Sequence, residues 1–448
     1  MELYEKCAAF AGRHGISING PDIGGVIDAL LYDMRLGLKE LNEKNGESGK
    51  MTAAQEMIPT WTTPPQHKPV NENVIVIDAG GTNFRTCLVS FDASGAPSIS
   101  ALEKSSMPGT EREYSKNEFF DTIASKLDYL KNKASKIGFC FSYAMKITPD
   151  NDGQVIRFSK EIRAKEVVGS FVGASLSDAL VKRGWERPEK IVLLNDTAAA
   201  LLAGASHYEN GRRYSSYAGL ILGTGLNTAY IEYEAIDKIR GMHGDIPSSQ
   251  IIVCESGMFD KIARSDFDIA FDKTTQTPGR YIIEKMCSGA YLGAVVFYAV
   301  KEACCEGLFS AHAAEALSAL KEFTLYDMDR FLYTPYRSDT LLGAALSGSS
   351  QNDYDTLYFI LDMFVERCAR LTAALIAAAV IKTGKGKNPS MPVSVLCEGT
   401  TFYKTHNLRS RILGYLHEEL MYKRRIYYEI RTLDNAIVLG AAVAALSV

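Results

Sequence analysis

The apolar and polar positions along this chain switch between helical and strand-like spacing. Apolar residues recur at intervals of three and four over residues 26–41, which predicts a helix, and the proline-rich segment 57–65 predicts an extended connection. The same spacing rules predict further helices over 117–134, 176–183, 281–305, 354–382 and 434–446, and strands over 136–143, 251–259 and 392–397.

The segment 74–89, VIVIDAGGTNFRTCLV, predicts a hairpin with Gly80 and Gly81 at its bend. Two glycines let the backbone approach a ligand closely. Four polar side chains crowd the same bend: Asp78, Thr82, Asn83 and Arg85. Their hydroxyl, amide and cation suit a phosphate group, and the carboxylate could organise a metal ion through water. Glycine at a tight bend is also ordinary turn chemistry, so the hairpin alone leaves both interpretations open.

A second hairpin repeats this pattern. Residues 218–232, AGLILGTGLNTAYIE, contain an apolar run, a glycine-threonine-glycine turn at 223–225 and a second strand. Aligning Asn227 with Asn83 gives an offset of 144 residues and superposes the two apolar runs. Two such loops predict two halves of the protein that face one nucleotide.

A third segment joins a strand to a helix. The apolar run 191–194 predicts a buried strand, which Asn195 and Asp196 end before an alanine-rich helix. An aspartate at such a junction is commonly an N-cap. It could instead be a general base, since ligands of open α/β sheets bind beyond the carboxyl ends of strands. The position of Asp196 between the two glycine loops favours the base.

Two glutamates are further candidates for the functional site. Glu255 ends a predicted strand, and Glu284 lies in the first turn of a predicted helix. The helix dipole favours an acid in a first turn, which gives Glu284 a structural reason to be acidic that Glu255 lacks.

The composition of the chain narrows the range of possible functions. The 448 residues are too many for one comfortable hydrophobic core, which predicts two or three lobes. A net charge of −4 lacks the basic footprint of a nucleic-acid-binding protein and directs attention to small-molecule chemistry. The start of the chain has no apolar core of signal-peptide length, and the apolar stretches 371–381 and 436–448 are too short to cross a bilayer, which predicts a cytoplasmic protein without a membrane partner. Nine cysteines include no CxxC pair, so neither a zinc site nor a disulfide framework is predicted.

Seven motifs between about residue 57 and the C-terminus resemble those of eukaryotic-type hexokinases, within the actin-like sugar kinase and ATPase superfamily. In chain order they are IDAGGTNFRTCLV, IGFCFSYAM, LLNDTAAALLA, GLILGTGLNTAYIE, CESGMFD, PGRYIIEKMCSGAYLG and LCEGTTFYK. The resemblance implies an α/β, two-lobed actin-like ATPase fold, a duplicated ribonuclease-H-like fold with a central cleft between a small and a large domain. The implied division is a helical part of the large domain over 1–73, the small domain over 74–195, the large domain over 196–434 and a helix over 435–448 that returns to the small domain.

The resemblance also implies an activity: transfer of a phosphoryl group from ATP, with Mg²⁺, to the 6-hydroxyl of a hexose, as in glycolysis. D-glucose is the hexose that the resemblance favours. Asp196 is then the base that takes the hydroxyl proton, Lys160 is a second catalytic residue, and Asp78 helps to position Mg²⁺ through water. The implied sugar-binding residues are Ser142, Ser159, Lys160, Asn195, Asp196, Asn227, Glu255 and Glu284. The implied ATP-binding residues are Asp78, Gly80, Gly81, Thr82, Asn83, Arg85, Gly223, Thr224, Gly225, Gly399 and Thr400.

The chain departs from the family pattern in some of these motifs. Tyr281 stands where the family commonly has a sugar-contacting glutamine, so a kinase for fructose, mannose or an N-acetylated hexosamine is an alternative. The nucleoside motif reads Glu-Gly-Thr-Thr at 398–401 in place of an Asp-Gly-Ser run. A function of a different class is a sugar sensor that keeps the fold without turnover. The presence of Asp196 and Lys160 favours the enzyme over the sensor.

Overall fold

The computed structural model describes residues 2–17, 19–39, 52–65, 67–80, 83–158, 162–206, 212–240 and 246–447. The strands in these ranges are β1 (Ile58–Pro59), β2 (Glu72–Gly80), β3 (Asn83–Phe91), β4 (Pro97–Ser106), β5 (Lys136–Phe141), β6 (Ala144–Ile147), β7 (Gly153–Arg157), β8 (Lys190–Leu194), β9 (Ser216–Leu222), β10 (Leu226–Glu232), β11 (Gln250–Val253), β12 (Val393–Glu398) and β13 (Tyr428–Arg431). The α-helices are α1 (Glu2–Arg13), α2 (Ile23–Gly37), α3 (Lys116–Ser125), α4 (Val172–Lys182), α5 (Asp196–Ser206), α6 (Asp266–Thr274), α7 (Ile282–Cys287), α8 (Leu292–Cys305), α9 (Ala311–Ala319), α10 (Leu325–Tyr333), α11 (Leu341–Ala345), α12 (Gln351–Lys382), α13 (Thr400–Lys404), α14 (Leu408–Leu416) and α15 (Ala436–Leu446).

Two sheets have the same strand order and the same strand directions. In the first, with strand order β4-β3-β2-β5-β8, the neighbours β4, β3 and β2 pair antiparallel, whereas β5 and β8 join in parallel. The second sheet repeats this path as β11-β10-β9-β12-β13, with the short β1 added at its β11 edge. The two glycine hairpins, β2–β3 and β9–β10, occupy equivalent places. The repeat seen in the sequence is therefore a repeat of topology. The strands β6 and β7 form a separate hairpin.

Two helices of small residues fill the space between the sheets. Helix α5 packs on β9 and β12, and α15 packs on α5, β2 and β5. Glycines allow this close approach: a Cβ at Gly440 would lie 1.7 Å from the carbonyl oxygen of Ala199, and one at Gly138 would lie 2.0 Å from that of Ala441. The domain boundaries derived from the resemblance stay a prediction, but the last helix does lie on the first sheet.

Other helices cover the outer faces of the sheets. Along β2, Val76 belongs to the core shared with α5 and α15, while Ile77 belongs to the core shared with α3 and α4, as the strand period of two requires. Helix α12 covers β9 and β10. Its Arg367 is 5% exposed and donates two hydrogen bonds to Asp268 of α6, at 2.7 and 2.9 Å. Asp268 also accepts from Ser265 in the capping box that starts α6. This buried ion pair ties α12 to the start of α6.

The helix predicted over 281–305 is wrong as a single element. It is divided into α7 and α8 because the backbone between them turns to bond the second glycine loop. Gly289 N donates to Gly223 O at 2.8 Å, and Ala290 N donates to Thr224 O at 3.2 Å. Apolar spacing continues across the break, so the pattern carried no sign of it.

Other predicted elements are too long, including the helix over 26–41, since α2 ends at Gly37, and the strand over 136–143, since β5 ends at Phe141. Helix α3 ends at Ser125, where Lys126 forms the C-cap, rather than continuing to residue 134. Strand β11 ends at Val253, and Glu255 beyond it has a left-handed backbone with φ of 53°. Separately, none of the helices in the described ranges combines the length and the apolar character needed to cross a membrane.

Candidate active site

Three polar side chains meet where parallel strands of the first sheet end. Asp78 lies near the end of β2, Ser142 follows β5 and Asp196 follows β8. Because β2, β5 and β8 are parallel neighbours, their carboxyl ends lie at one edge of the sheet. Ser142 N donates to Ala79 O at 3.0 Å, and a Cβ at Gly80 would lie within 4 Å of both the Ser142 hydroxyl and the Asp78 carboxylate. The fold thus gathers these groups into one place.

Asp196 is the first residue of α5 and is half-buried. Its neighbour Asn195 caps the helix, since Asn195 Oδ1 accepts from Thr197 N at 2.8 Å. The N-cap interpretation of Asp196 is therefore wrong. Burial raises the pKa of the Asp196 carboxyl above its usual range, although hydrogen bonds from the hydroxyls of Thr197 and Ser142 oppose the rise. A raised pKa makes this carboxylate a stronger proton acceptor.

Asp78 shares this edge of the sheet with Asp196. Its side chain is buried, and its Oδ2 lies 3.6 Å from Nε of Arg85 on β3. Burial raises the pKa of the Asp78 carboxyl; the Arg85 charge opposes the rise and the Asp196 charge adds to it. Two carboxylates close together in a partly dry site favour a further cation beside them.

The second sheet contributes a hydrogen-bonded group of one amide and two carboxylates. Asn227 of β10 donates from Nδ2 to Glu255 Oε1 at 2.8 Å, and its Oδ1 accepts from Ser256 N at 3.2 Å. Glu284 of α7 accepts from Leu226 N at 2.9 Å. These bonds fix the side chains and leave carboxylate oxygens for further donors, such as the hydroxyl groups of a ligand.

Glu255 has an unusual backbone and an unusual acidity. Its left-handed conformation is uncommon for a residue other than glycine and is the kind of strain that clusters at functional sites. Burial raises the pKa of Glu255 to about 7, and the negative charge of Glu56 adds to the rise, while the hydrogen bond from Asn227 opposes it. Burial also raises the pKa of Glu284, against the hydrogen bond from Leu226. Both carboxyls are therefore held in a site that disfavours their charged form.

Backbone contacts hold the second glycine loop. Gly223 O accepts from Gly289 N at 2.8 Å and from the Thr401 hydroxyl at 2.9 Å. A Cβ at Gly223 would lie 3.5 Å from Cα of Gly399, which precedes α13 with φ of 119°. Gly399 and Thr400 therefore lie against this loop, and the sequence did not single out Thr401, which makes the side-chain contact.

The remaining predicted site residues divide into two groups. Five belong to the hairpin bends: Asn83 and Arg85 at the start of β3, Gly80 at the end of β2, and Thr224 and Gly225 in the β9–β10 turn. Four lie outside the described residues: Gly81, Thr82, Ser159 and Lys160.

A cleft of about 880 Å³ lies beside the polar side chains at the ends of the two sheets. Its volume is typical of small-molecule sites. Four predicted sugar-binding residues line it: Ser142, Asn195, Glu255 and Glu284. Glu56 and Arg157 also line it, and the sequence did not indicate either, because each is a single charged residue outside any motif. Tyr281 lines the cleft on the side of α7.

Comparison with known proteins identifies the family. Two family models described as hexokinase match residues 14–206 and residues 217–447. The chain belongs to the hexokinase family. Among hexokinases it is 29% identical to hexokinase-5 of Oryza sativa subsp. japonica over 92% of this chain and 85% of the relative. It is 28% identical to the hexokinase-like 1 protein of Arabidopsis thaliana over 95% of this chain and 88% of the relative.

A solved hexokinase confirms the predicted fold. The hexokinase from Schistosoma mansoni, solved in complex with glucose, matches with a TM-score of 0.78 at 24% identity. The match covers 100% of this chain and 99% of that one. The α/β fold with two equivalent sheets is thus the hexokinase fold.

The residues present fit the ATP and Mg²⁺ that the hexokinase family implies. A Cβ at Gly399 would lie 2.1 Å from the carbonyl oxygen of Leu222, so glycine there lets the backbone before α13 lie against the second glycine loop. The backbone amides of such a loop suit phosphate oxygens. Asp78 supplies a carboxylate oxygen, the ligand type that Mg²⁺ prefers, and lies beside a second carboxylate that disfavours its charge.

Proposed function

We propose that this hexokinase-family protein uses ATP to phosphorylate a hexose at its 6-hydroxyl, with D-glucose as the preferred substrate. One observation carries the proposal. A half-buried carboxylate, Asp196, with a raised pKa lies at the end of the first sheet, while Asn227, Glu255 and Glu284 form a polar group at the end of the second. A proton acceptor and a set of hydroxyl-binding groups are what transfer to a sugar alcohol requires.

In this proposal each group has a chemical task. Asp196 takes the proton of the attacking hydroxyl, and the hydrogen bonds from Thr197 and Ser142 hold its carboxylate in place. Carboxylates and amides of Asn195, Asn227, Glu255 and Glu284 accept and share hydroxyl hydrogen bonds. A site built this way discriminates against analogues that lack a hydroxyl, because its buried polar groups would be left unpaired.

Phosphoryl transfer depends mainly on positioning and on compensation of negative charge. In this proposal the backbone amides of the two glycine loops and the Arg85 guanidinium bind phosphate oxygens, and on sequence grounds Lys160 joins them. Bound Mg²⁺ would supply further positive charge, with Asp78 as the residue that helps to hold it. If the two lobes close on the sugar, as the family resemblance implies, closure would exclude water as a competing acceptor.

The proposal is tested by ADP release from Mg-ATP, measured without sugar and with glucose, fructose, mannose and N-acetylglucosamine in parallel. We expect glucose to raise the rate strongly above the sugar-free rate. A panel in which fructose, mannose or N-acetylglucosamine exceeds glucose would reassign the substrate. If no sugar raises the rate while calorimetry still detects glucose binding, the kinase is refuted and the sugar sensor takes its place.

The acidity of Glu255 makes hexose binding depend on pH. Glu255, with a pKa of about 7, is largely protonated at pH 6 and ionised at pH 8. Sugar hydroxyls donate to the ionised form, so its pKa falls on binding and hexose affinity should rise by about tenfold from pH 6 to pH 8. Calorimetric dissociation constants at the two values measure this change.

Substituting Glu255→Gln should remove most of the pH dependence, because the amide does not titrate. Glu315→Gln, an exposed change on α9, is the matched control and should keep the full pH dependence. Equal hexose affinity of the wild type at pH 6 and pH 8, or an undiminished pH dependence after Glu255→Gln, would contradict the role given to Glu255.

A further inference from the structure

A hydrogen bond crosses the cleft between two distant parts of the chain. Arg157 ends β7, in the hairpin that lies between β5 and β8 along the chain, and Tyr281 directly precedes α7. Arg157 Nη2 donates to Tyr281 Oη at 2.7 Å, and both residues line the cleft. We call this contact the Arg157–Tyr281 bridge.

Both ends of the bridge are held by further contacts. The guanidinium of Arg280 lies 5.5 Å from the centre of the Tyr281 ring, within reach of a cation–π interaction. Arg157 Nη2 lies 4.0 Å from Glu56 Oε1, so the guanidinium is also drawn to a carboxylate. The tyrosine ring therefore cannot swing out of the cleft without losing the hydrogen bond from Arg157.

The backbone of Tyr281 shows that this position is imposed. Its φ of 56° and ψ of 42° are left-handed, which is a strained conformation for an aromatic residue. Such strain persists only where the surroundings hold the residue in place. Here it aims a large ring into the cleft, one helical turn before Glu284.

The bridge lies next to the carboxylates that the proposed function assigns to the sugar. Tyr281 and Glu284 share the start of α7. Glu56, the ion-pair partner of Arg157, is also close to Glu255, because its negative charge is the second-largest cause, behind burial, of the raised pKa of Glu255. A change in the bridge is therefore a change in the wall of the site that holds the hydroxyls.

We infer that Tyr281 is a specificity-determining residue, with Arg157 as the residue that positions it, and that together they limit the size of the sugar substituents. This inference rests on the proposed function. Unsubstituted hexoses fit beside the fixed ring, whereas an N-acylated hexosamine needs the volume that the ring occupies. The wall excludes the larger sugar by steric contact, since the hydrogen bond from Arg157 and the left-handed backbone of Tyr281 hold the ring in place.

The test compares glucose with N-acetylglucosamine as substrate. Tyr281→Gln keeps an acceptor for Arg157 but removes the ring, and it should raise the ratio of kcat/KM for N-acetylglucosamine to that for glucose by about tenfold or more. Tyr281→Phe keeps the ring without the bridge and should raise the ratio by a smaller factor. Arg157→Leu should resemble Tyr281→Phe, and Arg157→Lys, which can still donate, should restore the wild-type ratio.

Tyr326→Gln is the matched control, because Tyr326 also pairs with an arginine through its hydroxyl and ring but lies on α10, outside the cleft lining. It should leave the ratio unchanged. A ratio within about twofold of the wild type in Tyr281→Gln would overturn the inference. Calorimetric affinities for the two sugars, measured on the same variants, separate the possible failures. If the wild type lacks turnover the proposed function fails, and the affinity ratio still decides whether Tyr281 limits sugar size.

Discussion

Substituting Asp196→Asn should lower kcat for hexose phosphorylation by about 10²–10⁴-fold while hexose binding stays measurable. The amide is nearly the same size as the carboxylate but cannot accept a proton at neutral pH. Capping of α5 is unaffected, since Asn195 performs it. The loss should therefore appear in turnover rather than in folding or in sugar affinity.

The measurement pairs ADP release with calorimetric titration of glucose. Asp178→Asn is the matched control, because Asp178 is an exposed carboxylate on α4 paired with Arg187 at the surface. It should keep wild-type turnover. An Asp196→Asn enzyme that keeps more than about a tenth of the wild-type kcat would refute the assignment of Asp196 as the base.

Substituting Arg367→Met should lower the free energy of unfolding by about 3–5 kcal/mol. The change leaves Asp268 as a buried charge without its partner, and burial of an uncompensated charge is among the largest single costs in a fold. The guanidinium of Arg367 also lies 4.8 Å from the Phe364 ring, and that contact is lost as well. Methionine keeps most of the side-chain volume, so the effect reports the charge and not a cavity.

Urea denaturation of the variant and of Arg187→Met measures the effect. Arg187 pairs with Asp178 where both side chains are more than half exposed, so its loss should cost about 0–1 kcal/mol. Adding Asp268→Asn to Arg367→Met should recover part of the stability, because the orphaned charge is removed. If the Arg367 and Arg187 variants lose equal stability, the buried Arg367–Asp268 pair does not make the larger contribution to the free energy of unfolding that is predicted for it.

The sequence predicted much of the fold because its signals are local. Apolar runs broken by glycines located both hairpins, and the alanine-rich helix after residue 196 followed from its composition. The repeat between Asn83 and Asn227 even pointed to the equivalent sheets. These features depend on residues that are neighbours in the chain.

Contacts between distant residues could not be predicted in the same way. The break between α7 and α8 exists because Gly289 bonds Gly223, and the Arg157–Tyr281 bridge joins residues that share no pattern. For Asp196 the sequence left two interpretations open, since the cap depends on the side-chain rotamer of Asn195. The family resemblance supplied roles for site residues that spacing alone could not assign.

The same break between α7 and α8 has a thermodynamic consequence. Glu284 holds Leu226 through its side chain and Ser288 through its carbonyl, and the next residue, Gly289, holds the glycine loop at Gly223. The proposed sugar and nucleotide sites therefore share one short, continuous run of hydrogen bonds. If occupation of one site tightens this run, linkage requires that each substrate change the affinity for the other by the same factor.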